Sequence, residues 1–210
     1  APAPSWDSTP GDETITCAEA VNYIATAPNL NYSNGESGIC LMDGSVAPQI
    51  VSNYDECGGS ITITYDTTLT CGYSLIYVQT ITVSPAPAPV YINAPLDETI
   101  TCAEAVNYIA TAPDLTYSNG ESGVCLMDGS VAPTILSSYD ECGGSITITY
   151  DTTLTCGYSL NYVQTITVSP TPAPVFINTP ADETITCAEA VNYIATAPNL
   201  TYSNGESGVC

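Results

Sequence analysis

The chain has no lysine, no arginine and no histidine in 210 residues, against 22 aspartates and glutamates, so its formal charge is -22. These absences remove whole classes of chemistry. There is no imidazole base, no Schiff-base amine and no arginine clamp or P-loop lysine for phosphate, and an enzyme is not expected. Nucleic-acid binding needs cations that displace phosphate counterions, so that partner is excluded as well. Apolar runs stay short of the roughly 18 residues that a spanning helix needs, so no membrane insertion is expected. Proteases that cut after lysine or arginine find no site.

What is present is β-prone. Hydrophobic residues make up 44% of the chain and charged ones only 10%, with 15 tyrosines, a composition unlike that of a disordered acidic tail. The string DETITCAEAVNYIATAP starts at Asp12, Asp97 and Asp182, and SNGESG at Ser33, Ser118 and Ser203, a period of 85 residues. That period is too long for a solenoid turn and suits a small domain repeated in tandem. The expected units are 1–85, 86–170 and a partial third copy, 171–210, of an array expected to continue further. Alternating prolines from Ser84 (SPAPAPVYINAP) and from Ser169 (SPTPAPVFINTP) mark the joints as short, semi-rigid extended spacers.

Within a repeat, Ile61, Ile63 and Tyr65 alternate with Thr62 and Thr64, the period of a half-buried strand. A second run, Leu75 to Val83, returns after turn-type residues, which predicts an antiparallel hairpin over 58–83. Leu75, Tyr77, Ile81 and Val83 share the inward parity, and Ile76, which is Asn161 in the next copy, faces outward. Gln79 also falls on the inward parity, which leads us to expect a bulge near Val78. Glu13 to Cys17 reads as a strand, and Leu30–Ser33 with Ile39–Met42 as a hairpin around Asn34-Gly35. Ala18 to Ala25 fits either a capped helix or a strand. The expected fold is all-β: tandem immunoglobulin-like sandwiches.

Each full repeat carries cysteines at 17, 40, 57 and 71, recurring at 102, 125, 142 and 156 and then at 187 and 210. The gaps of 23, 17 and 14 residues contain no CxxC pair, and the lack of histidine leaves no common zinc set. Disulfides, and hence an oxidising compartment, are the expectation. A Cys57–Cys71 bond is disfavoured because the two lie at opposite ends of the hairpin, roughly 20–25 Å apart, where a bond needs Cα atoms within about 7 Å. That exclusion also removes Cys17–Cys40, and of the two pairings left, Cys17–Cys57 with Cys40–Cys71 is favoured because the turn at Asn34 places Cys40 near the same end as Cys71. The next copy then pairs Cys102–Cys142 and Cys125–Cys156, with Cys187 and Cys210 joined to partners beyond the 210 residues. Asp43, Asp55 and Glu56 are weak calcium candidates, and Ca2+ is the one cofactor considered. Neighbouring carboxylates such as Asp55-Glu56 point to opposite faces of a strand, so no catalytic pair is assigned.

The segments LxYSNGExGxC, YDECGG at 54–59, Cys71-Gly72 and Gln79–Val83, followed by PAPAPV, resemble the hyalin-repeat-like, immunoglobulin-like modules of giant surface adhesins of gliding Bacteroidota. The resemblance covers essentially every repeat. It departs from the family at Tyr65, where tryptophan is frequent, and in the complete loss of basic residues. It implies type IX secretion, an extracellular, cell-surface location and a structural stalk or filament that supports attachment or gliding. The partners it implies are neighbouring repeats of the same chain and an unknown surface ligand, together with self-association into filaments. It also makes Ser8, Thr67 and Thr152, which follow aspartate in Asp-Ser/Thr-Thr patterns, candidates for O-glycosylation. A subunit of a pilus-like or surface-layer polymer, built by lateral contacts or strand exchange, is the alternative.

Overall fold

A computed structural model describes residues 2–210. The first repeat runs β1 (Ser5–Trp6), β2 (Glu13–Ile15), α1 (Cys17–Thr26), β3 (Leu30–Ser33), β4 (Asp43–Val46), β5 (Gln49–Asp55), β6 (Gly58–Thr68) and β7 (Ser74–Val83). These strands form a three-stranded sheet, β1-β3-β4, and a four-stranded sheet, β2-β7-β6-β5. The second repeat follows the same order: β8 (Val90–Tyr91), β9 (Glu98–Thr101), α2 (Cys102–Thr111), β10 (Leu115–Ser118), β11 (Asp128–Val131), β12 (Thr134–Asp140), β13 (Gly143–Thr153) and β14 (Ser159–Ser169). Its sheets are β11-β10-β8 and β12-β13-β14-β9. The partial third repeat supplies β15 (Val175–Ile177), α3 (Cys187–Thr196) and β16 (Thr201–Ser203), with β15 paired to β16.

The hairpin predicted over 58–83 is present as β6 and β7, in continuous antiparallel register from Gly59 opposite Val83 to Thr68 opposite Ser74. Ile61, Ile63, Tyr65, Ile81 and Val83 are buried and Ile76 is exposed, as their parities require. No bulge interrupts β7. Gln79 stays on the inward face because its amide nitrogen is satisfied there: Nε2 donates to the Gly11 carbonyl at 2.7 Å and to the Tyr23 hydroxyl at 3.2 Å. A buried amide with both partners supplied costs little, so the register need not break.

Two further expectations are corrected. The fold is mostly β but not all-β, because Cys17–Thr26 and its two counterparts are ten-residue helices. Thr16 and Glu19 decide the outcome: the Thr16 hydroxyl accepts from the Glu19 amide while the Glu19 carboxylate accepts from the Thr16 amide at 2.8 Å, a reciprocal cap that satisfies two otherwise orphaned donors. The partner of β3 is β4 at Asp43–Val46 rather than 39–42. The intervening segment folds instead around the Asn34 side chain, whose Nδ2 donates to the Cys40 carbonyl at 2.8 Å and whose Oδ1 accepts from the Met42 amide at 2.9 Å.

The two compact units of the chain do not follow the repeat boundaries. One comprises Ala1–Asn93, Leu115–Val131 and Asp151–Leu160; the other comprises Ala94–Asp114, Ala132–Tyr150 and Asn161–Cys210. In the first, Trp6 packs edge-on against Tyr65 with ring centroids 6.4 Å apart, bringing the three-stranded sheet onto the four-stranded one. Its core joins Cys17, Ala20 and Leu30 to the β6 and β7 residues and also takes in Ala86, Cys125 and Met127 of the second repeat. The proline-rich joint lies on this core: Ala86 and Pro89 are buried, and the Ala86 amide donates to the Glu56 carbonyl at 2.9 Å.

The turn from β5 into β6 depends on glycine. Gly58 has φ +90°, and a Cβ there would stand 2.6 Å from the Val83 carbonyl oxygen; Gly143 repeats this against Val168 at 2.7 Å. Gly58→Ala should therefore destabilise the chain by more than about 1 kcal/mol, measured as a lower denaturant midpoint; an unchanged midpoint would contradict this description of the turn.

Candidate functional site

The distinctive chemistry of the chain lies in its cysteines, and each bond they form joins one repeat to the next. Cys17 is bonded to Cys125 and Cys102 to Cys210, both with a sequence separation of 108 and Cα atoms 5.9 Å apart. Cys57 is bonded to Cys156, with a separation of 99 and a Cα distance of 5.0 Å. Each bond lies inside one compact unit. The expected pairings within a repeat, Cys17–Cys57, Cys40–Cys71, Cys102–Cys142 and Cys125–Cys156, are not formed, and Cys210 pairs with Cys102 inside the chain. The separations equal one period of 85 plus 23 or 14, so the Cys17 position bonds to the Cys40 position of the following copy, and the Cys57 position to its Cys71 position.

Local structure presents each sulfur. Cys17 opens α1, held by the Thr16 cap, and is buried at 1% exposure, so only a partner that reaches the core can meet it. Cys125 makes that approach from a short 3-10 turn, Gly123–Cys125, steadied by Asn119, whose Nδ2 donates to the Cys125 carbonyl at 2.8 Å. Cys57 follows Asp55, whose carboxylate accepts from the Cys57 amide at 2.8 Å. Cys156 sits in a left-handed conformation, φ 62°, at the tip between β13 and β14.

Beside the Cys57–Cys156 bond is a cavity of about 250 Å³ lined by Glu56, Tyr117, Met127, Asp128 and Thr155, among others. Glu56, Cys57 and Cys156 are the one group of three metal-type ligands found among the described residues, but the two sulfurs are bonded to each other and leave the carboxylate alone. Asp43 lies in β4 across from Ser33, and Asp55 caps its own turn, so the structure does not gather Asp43, Asp55 and Glu56 into one ligand set. Of the glycosylation candidates, Ser8 is exposed in a loop, whereas Thr67 and Thr152 are half-buried in β6 and β13.

A second recurrent feature is a tyrosine bonded to a carboxylate. Tyr23 donates its hydroxyl to Glu13 and Tyr108 donates to Glu98. Burial, reinforced by these acidic neighbours, pushes both hydroxyls up to about 12. Neither cysteine pairing nor composition signalled these pairs; the recurring DE and Tyr eleven or ten residues apart was their only trace.

No protein-family model matches the chain, and no curated protein does. Among solved structures, protocadherin gamma C5 EC1-3 aligns at 11% identity over 80% of this chain and 68% of that one, with a TM-score of 0.25. Mouse clustered PcdhgC3 EC1-3 aligns at 13% identity over 79% and 67%, with a TM-score of 0.24. At such scores the likeness carries no weight.

A tyrosine held above its ordinary value of 10.0 favours the fold while protonated. That contribution is complete below pH 10 and is lost as pH rises through about 12. The melting temperature should fall across this window, and Tyr23→Phe should flatten part of the fall; a wild-type profile level from pH 9 to 12 would contradict the assignment.

Proposed function

We propose that the chain is a segment of a structural stalk or filament in a secreted, repetitive cell-surface adhesin, a tandem array of immunoglobulin-like sandwiches with proline-rich joints. The observation that carries this reading is the bonding between copies: covalent links run from each repeat into the next, an arrangement suited to transmitting load. The disulfides belong to a protein that matures outside a reducing cytosol. The lack of basic residues, together with the shortage of chemically reactive groups, fits a spacer better than a catalyst.

The bonds interlock, since Cys17, Cys102, Cys125 and Cys210 alternate along the sequence between the two 108-residue loops. Between the termini the shortest covalent route runs from Ala1 to Cys17, across to Cys125, back to Cys102 and across to Cys210. It contains 39 peptide units, 16 before Cys17 and 23 between Cys102 and Cys125, in place of 209. Two stretches, 18–101 and 126–209, lie off this route, so complete unfolding can extend the chain no further than the route itself.

Pulling the full chain between its termini should therefore give a limiting length of about 140 Å in non-reducing buffer and about 730 Å after reduction. Cys17→Ala opens the route to 101 peptide units, or about 350 Å, whereas Cys57→Ala leaves it at about 140 Å. An unreduced wild-type chain that extends as far as the reduced one would overturn the load-bearing role.

A further inference from the structure

Cys40, Cys71, Cys142 and Cys187 are unbonded and exposed. They are not scattered. The bonding rule sends Cys142 and Cys187 to positions in later copies and derives the partners of Cys40 and Cys71 from an earlier one, and for these four alone the 210 residues hold no such position. We propose that these four thiols are preformed joints, each of which takes the complementary cysteine of a further copy of the same repeat in tandem. Cys40 would take a Cys17-position thiol, Cys71 a Cys57-position thiol, Cys142 a Cys71-position thiol and Cys187 a Cys40-position thiol. This goes beyond the stalk reading, because it concerns how any array of this repeat is linked, whatever the array is for.

Two observations independent of the arithmetic support it. The first is that the unbonded cysteines already have the geometry of their bonded counterparts. Cys71 has φ 65° and ψ 12° and Cys156 has φ 62° and ψ 9°, a left-handed conformation that a non-glycine residue adopts only when its surroundings impose it. The Asn34 cradle donates to the Cys40 carbonyl at 2.8 Å, as the Asn119 cradle does to Cys125. The Asp140 carboxylate accepts from the Cys142 amide at 2.8 Å, as Asp55 does from Cys57, and Thr186 with Glu189 repeats the cap that presents Cys17.

The second observation is the apolar surface around Cys40. Cys40 is exposed and Met42 only half-buried, while in the second repeat the same loop seats their counterparts, Cys125 and Met127, in the core built around Cys17. Cys40 and Met42 thus form a surface whose complement, the helix start of another repeat, is bonded to the same loop at Cys17–Cys125 and again at Cys102–Cys210. Closing each joint joins two thiols into one disulfide and reduces one molecule of a small disulfide oxidant, such as oxidised glutathione, to two thiols, so electrons and protons balance.

The test is a chain in which residues 86–170 are inserted once more after Pro170, prepared with oxidised glutathione beside the native chain. Free thiols are counted by alkylation under denaturing, non-reducing conditions. The native chain has ten cysteines and the extended one fourteen, and both should show four free thiols, because every added joint finds its partner. A count in the extended chain above or below four would overturn the proposal. Should the extended chain fail to fold, labelling of the folded native chain decides the matter: alkylation confined to Cys40, Cys71, Cys142 and Cys187 supports the joints, and any other set overturns them.

Discussion

The bond from the buried start of one helix to an exposed loop of the following repeat organises this molecule. Cys17 lies in the core beneath the two sheets of the first repeat, and Cys125 can reach it only if its loop descends onto that core, carrying Met127 with it. One covalent link thereby fixes the register of two copies and buries apolar surface that the loop otherwise exposes. Closing a loop of 108 residues is worth on the order of 5 kcal/mol in the chain-entropy model. That is comparable to the whole net stability of a small domain.

The charge of the chain makes such links more than a supplement. With 22 carboxylates and no basic side chain, no side-chain ion pair can form, and repulsion is relieved only by solvent and salt. Polar groups are instead satisfied by neutral or acidic partners: Gln79 by a carbonyl and a hydroxyl, Tyr23 by Glu13, Thr16 and Glu19 by each other. These bonds set local geometry, and the disulfides resist separation of the copies at any ionic strength. The joint serves the same end, since Ala86 lies in the core of the first repeat and its amide donates to the Glu56 carbonyl.

Much of the fold could be read from residue order. The alternation of Ile61, Ile63 and Tyr65 gave the central hairpin, and the exchange of Ile76 for Asn161 marked the outward face. Gln79 misled because parity alone says nothing about partners supplied from 68 residues away. The helix at Cys17 was ambiguous because its apolar residues fit two periods, and the Thr16–Glu19 cap settled it. The disulfides were hidden for a deeper reason. In nearly identical copies, Cys40 and Cys125 have the same neighbours, so no local pattern distinguishes a partner in the same repeat from one in the next. Excluding Cys57–Cys71 by distance was sound within one repeat, yet the same two positions do bond across copies, where the hairpin length no longer separates them.

The few differences between copies allow the central claim to be tested directly. Gly11 precedes the Cys17 segment where Leu96 precedes that of Cys102, and Ile39 flanks Cys40 where Val124 flanks Cys125. Mass spectrometry of pepsin fragments from the unreduced chain can therefore tell these sites apart. A fragment joining the Gly11 segment to the Val124 segment is the predicted result, and one joining the Gly11 segment to the Ile39 or Asn53 segment would contradict the linkage between repeats.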